Sequence, residues 1–161
     1  MKQFEAAVFA LADALRAQGL KIATAESCTG GLIAAACTAV AGSSDWFERG
    51  FVTYSNEAKS ELLGVDAALI KAVGAVSEDV ARAMAEGALL RSHAQLAVAV
   101  TGIAGPGGAT PAKPVGTVWL ALARQGGAVH SELLTLGGDR AAVREQTVQH
   151  ALARLLGAAT G

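Results

Sequence analysis

Thr24-Ala25-Glu26-Ser27-Cys28-Thr29-Gly30-Gly31 is a polar knot between two apolar runs, Ile22 to Ala25 and Leu32 to Val40. The first run reads as a strand and the second as a helix. The knot is therefore a strand-to-helix turn, where unpaired backbone N–H groups and the positive end of a helix dipole face outward. Such a turn suits an anion or a developing oxyanion. It also carries Ser27, Cys28 and Thr29, three candidate nucleophiles in a row, with Ser27 at the expected N-cap of a helix from Cys28 to about Ala41. Taken alone, these residues read more readily as a plain cap and a plain glycine turn, since Ser and Gly are common at helix starts.

Upstream of the knot, Phe4, Val8, Leu11 and Leu15 lie one helical turn apart, and Gly19 closes that helix. Lys21 to Ala25 follows as a strand. Downstream, Gly42 to Asp45 breaks the second helix, and Gly50 to Tyr54 returns as a strand. Glu57 to Leu63 and Ala67 to Val73 read as short helices, and Ser77 caps a longer one reaching about Arg91. Leu96 to Val100 is continuously apolar, as a strand covered on both faces should be. Thr117 to Ala123 and Val129 to Leu136 form an antiparallel hairpin through Gln125-Gly126-Gly127. A final helix with Val148, Leu152, Leu155 and Leu156 on one stripe ends the chain. This order predicts a three-layer α/β/α sandwich with a mixed, mostly parallel sheet, built as one domain over 1–161.

Composition fits that reading. Of the 161 residues 52% are hydrophobic and 17% charged, enough apolar material for a core without staples. A formal net charge of -1 gives no general pull toward nucleic acid or an anionic membrane, so neither is expected as a partner. The opening helix carries Glu5, Asp13 and Arg16 and lacks the apolar core of a signal peptide, and no run is long enough to span a bilayer. Cys28 and Cys37 are expected on one helix with roughly 13 Å of rise between them, too far to pair. Free cysteines without an export signal point to the cytoplasm. The three histidines are scattered, so no metal site is expected.

Four polar insertions, after Ala25, Tyr54, Val100 and Leu136, each leave the end of a predicted strand. If those strands run parallel, all four share one edge, and ligands gather at that edge in such sheets. Ser27 or Cys28 can supply a nucleophile there. There is no Gly-x-Ser-x-Gly elbow, no phosphate loop and no histidine near these loops in sequence, so the base must be sought elsewhere. Lys59, just after Tyr54-Ser55-Asn56, is the candidate. It can act only if its pKa falls from about 10.4, and an arbitrary lysine is more often a solvated one. Tyr54 can relay the proton or orient the amine, and Glu26 can set the local field or close the turn. Arg140 and Arg144 lie one turn apart at a helix start, where cations are unfavourable, a placement that suits a phosphate. Asp139 offers the alternative of a cap paired with an arginine.

With these residues assembled, the chain resembles the CinA C-terminal domain family, whose stand-alone members include nicotinamide-nucleotide amidases. The resemblance rests on Ala25 to Gly31, on Tyr54-Ser55-Asn56 with Lys59, on Thr101 to Pro106 with Lys113 to Thr117, and on Gly138-Asp139-Arg140 with Arg144, in the family's order. It implies hydrolysis of nicotinamide mononucleotide, a pyridine nucleotide, with Ser27 as nucleophile, Lys59 as base and Tyr54 assisting. It implies no cofactor and no metal. Glu26, Thr29, Gly30, Gly31, Thr101, Gly102, Arg140 and Arg144 become the expected substrate contacts, with the arginines on the 5′-phosphate. A homo-oligomer is also expected. The competing readings are a non-catalytic nucleotide-binding or dimerisation module, an amidase or esterase for another substrate, and Cys28 as the nucleophile.

Overall fold

The computed structural model describes all residues, Met1–Gly161. A 3-10 turn leads into α1 (Glu5–Gln18), which Gly19 closes in the left-handed region. Then follow β1 (Ile22–Glu26), α2 (Leu32–Thr38), β2 (Phe47–Val52), α3 (Asn56–Leu63), α4 (Ala67–Val73) and α5 (Glu78–Leu90). The last elements are β3 (Leu96–Gly102), β4 (Thr117–Arg124), β5 (His130–Thr135) and α6 (Arg140–Thr160). The strands form one sheet in the order β2-β1-β3-β4-β5. β2, β1 and β3 pair in parallel, whereas β4 runs antiparallel to both β3 and β5. β5 therefore shares the direction of the first three strands, and the mixed sheet with helices on both faces is as expected.

The pleat of β3 assigns the layers. Leu96, Val98 and Val100 join the core formed with α1, α2 and α6, while Ala97 and Ala99 join the core with α4 and α5. All five are 0% exposed, and each Leu or Val so buried contributes about 1.5–3 kcal/mol. The alanines on the second face let α5 lie close on β3 and β4. α5 also comes so near the end of α3 that a Cβ on Gly87 would overlap the Leu63 carbonyl, which fixes the helix bearing Lys59.

The boundaries nearest the site differ from the sequence reading. α2 begins at Leu32, not Cys28, because Gly30 (φ 58°) and Gly31 (φ 101°) both sit in the left-handed region and cannot be helical. Ser27 is thus in a turn and not at the N-cap, and Cys28 is not on the helix that holds Cys37. Both cysteines are buried and free. β2 begins three residues earlier than expected and ends before Thr53, so that Tyr54 lies in the loop toward α3.

Candidate active site

Because β1, β2, β3 and β5 run the same way, the chain leaves all four at one edge of the sheet. A pocket of 190 Å³ opens there, lined by Ser27, Tyr54, Lys59, Thr101, Gly102 and Arg140 among others. Ser55 caps α3 by accepting a hydrogen bond from Ala58 N–H, and this puts Lys59 one turn into the helix, pointing back under the β1 turn. Lys59 is 1% exposed, and its Nζ lies 3.0 Å from Ser27 Oγ. The same nitrogen donates to the carbonyls of Thr53 at 2.9 Å and Tyr54 at 3.1 Å. No carboxylate pairs with it. Burial holds its pKa below the ordinary lysine value, with Cys28 opposing the shift.

The Cys28 thiol, next to Ser27, is pushed up to about 12, chiefly by burial. It therefore stays protonated at neutral pH and is a poor nucleophile. Ser27 is 8% exposed and has a nitrogen base in hydrogen-bond contact, so the geometry favours Ser27.

The remaining predicted residues divide into two groups. Arg140 opens α6 at the pocket rim, donating from Nη1 to Gly105 O at 2.8 Å and from Nη2 to Tyr54 Oη at 3.3 Å. Tyr54 meets Lys59 only through its backbone carbonyl, and the residue is 61% exposed. Thr101 and Gly102 line the pocket, although the Thr101 hydroxyl donates to Ala75 O. Asp139 caps α6 through Ala142 N–H and forms no ion pair with either arginine.

Glu26, Thr29, Gly30, Gly31 and Arg144, in contrast, do not line the pocket. Glu26 is 1% exposed and accepts from Thr29 Oγ1 (2.5 Å), Ile33 N–H (2.8 Å) and Ala34 N–H (3.0 Å), so it caps α2 from the preceding strand. Arg144 donates to the carbonyls of Cys28 and Thr29. Ala75, Val76 and Ala104 complete the pocket walls and were not anticipated. For Ala75 and Val76 the sequence offered only the break between the fourth and fifth helices around Gly74, whereas Ala104 lies in the Thr101 to Pro106 stretch and Asn56, also in the lining, in the Tyr54-Ser55-Asn56 stretch. No group of three or more His, Cys, Asp and Glu side chains is arranged to hold a metal ion. No helix is long and apolar enough to cross a membrane.

The family model described as CinA C-terminal domain matches residues 5–159. A CinA-like protein from Akkermansia muciniphila is 59% identical over 144 residues, covering 89% of this chain but 35% of that protein. The chain thus spans about a third of the length of some of its relatives. The nicotinamide-nucleotide amidohydrolase PncC of Pseudomonas putida is 56% identical over 146 residues, covering 91% of each chain. Among solved structures, the competence/damage inducible protein CihA from Agrobacterium tumefaciens superimposes with a TM-score of 0.93 at 48% identity, covering 96% of this chain and 94% of that one.

Proposed function

Because the chain belongs to the CinA C-terminal domain family, we propose that it hydrolyses nicotinamide mononucleotide to nicotinic acid mononucleotide and ammonia. The observation that carries this reading is the buried contact between Ser27 Oγ and Lys59 Nζ at the shared strand edge. It agrees with the activity named for the Pseudomonas putida relative.

A neutral lysine amine has two N–H donors and one lone pair. In this site the two donors meet the Thr53 and Tyr54 carbonyls, and the lone pair is left for the Ser27 hydroxyl. Lys59 takes that proton as Oγ attacks the carboxamide carbon. The C–N bond then breaks, the new ammonium of Lys59 returns the proton to the leaving nitrogen, and ammonia departs. Water attacks the acyl-enzyme with Lys59 again as base, releasing the carboxylate and restoring Ser27.

At 190 Å³ the pocket is smaller than the roughly 300–1,000 Å³ of sites that enclose a whole ligand. It suits the ring and its carboxamide, with the ribose phosphate at the rim beside Arg140. The expected homo-oligomer rests on the family resemblance, and light scattering tests it.

The test incubates the protein with nicotinamide mononucleotide, without added metal, and quantifies both products. Equal amounts of nicotinic acid mononucleotide and ammonia are expected. Arg140→Ala should raise KM roughly 10- to 100-fold, the effect of losing hydrogen bonds to a charged group. Equal turnover of a phosphate-free nicotinamide, insensitive to Arg140→Ala, would instead mark an amidase for another substrate. Nucleotide binding without any ammonia would mark a binding module.

A further inference from the structure

The turn that presents Ser27 is held by opposite charges on its two sides. Glu26 grips it through Thr29 Oγ1 and the first N–H groups of α2. Arg144 crosses from α6 and donates from Nε to Cys28 O at 3.2 Å and from Nη2 to Thr29 O at 3.1 Å. Gly30 lies against this guanidinium, where a Cβ would stand 3.6 Å from Nη2. Two of the three guanidinium nitrogens are therefore engaged by backbone carbonyls of the nucleophile turn. Arg140, one helical turn earlier, is the arginine that lines the pocket.

The same turn contains one backbone donor without an acceptor. Thr29 is 0% exposed and its backbone N–H donates to no oxygen of the chain, whereas the Cys28 N–H turns toward its own thiol. Each amide is planar and trans, so the Cys28 carbonyl and the Thr29 N–H point in opposite directions. A cation on each of the two carbonyls therefore fixes the plane of its amide and, with it, the turn behind Ser27.

We propose that Arg144 is a positioning residue for catalysis: it fixes the two peptide planes flanking Thr29, so that the turn presenting Ser27 is held against Lys59, and leaves the substrate phosphate to Arg140. In its kinetic consequences the proposal rests on the amidase reading. In its structural consequences it does not.

Three readouts on Arg144→Met test it, with Arg144→Lys as the conservative partner. Misplacing a reacting group by an ångström lowers rates about 10²-fold, so kcat should fall by about that factor. KM and the affinity for nicotinic acid mononucleotide should not change. Amide hydrogen exchange in residues 27–31 should accelerate. Arg144→Lys, able to reach one carbonyl but not both, should restore part of kcat and part of the protection, and it carries the same readouts if Arg144→Met does not fold. Weaker product binding with kcat retained would make Arg144 a phosphate ligand and overturn the proposal. Wild-type exchange in residues 27–31 of the variant would overturn it as well. An inactive wild-type protein would defeat the amidase reading alone, and the exchange result would still decide the role of Arg144.

Discussion

Lys59 illustrates how a residue acquires chemistry from where its helix puts it. An ammonium on the surface is useless as a base at neutral pH, whereas this one is 1% exposed and has no anionic partner. Burial disfavours the charged form and lowers its pKa. Between that value and the unfolded value near 10.4 the unfolded chain binds more protons than the folded one, so the lysine's contribution to stability rises with pH across this window. Catalysis needs the same deprotonated form. The logarithm of kcat/KM should therefore climb with pH along a limb whose midpoint lies below 10.4, then level off. A pH–rate profile of the wild-type protein checks this, and a flat profile would remove Lys59 as the base. The position of Lys59 beside the Tyr54 loop was legible from spacing. Its burial was not, because it depends on α5 pressing α3 against the sheet.

At the scale of elements, α2 departs most from its sequence pattern. Ala- and Leu-rich sequence from Leu32 onward suggests a long helix, yet only Leu32–Thr38 is helical. Gly30 and Gly31 take positive φ, and the helix is capped by Glu26 rather than by its own N-cap residue, which makes no side-chain cap bond. A carboxylate at a helix N-terminus is favourable, and here it also stops the helix dipole from serving as a substrate-anion site. A cap reaching forward seven or eight residues from a strand has no local signature in sequence. Glu26→Gln would turn an amide N–H toward the backbone donors of Ile33 or Ala34. Loss of hydrogen bonds to a charged group should cost about 2 kcal/mol. That corresponds to a fall in Tm of roughly 4–8 °C for a chain of this size, which thermal unfolding measures. An unchanged Tm would mean that Glu26 does not hold the turn.

For the whole molecule, the continuous apolar run Leu96 to Val100 and the polar loops were enough to anticipate the layers and the shared edge. The strand order was not encoded in any one segment. It follows from β1 lying between β2 and β3, which brings the Ser27 turn and the Lys59 helix side by side although 32 positions separate them. The division between the two arginines was equally hidden, since both lie on the first turns of α6 and only tertiary contact sends one to the pocket and the other to the nucleophile turn. The central claim is that this assembly makes Ser27 a nucleophile toward a pyridine-nucleotide carboxamide. Ammonia release from nicotinamide mononucleotide by Ser27→Ala beside the wild type tests it most directly. The account predicts release by the wild type and a loss on the order of 10⁴-fold or more in the folded variant. Release by Ser27→Ala close to the wild-type rate would contradict it.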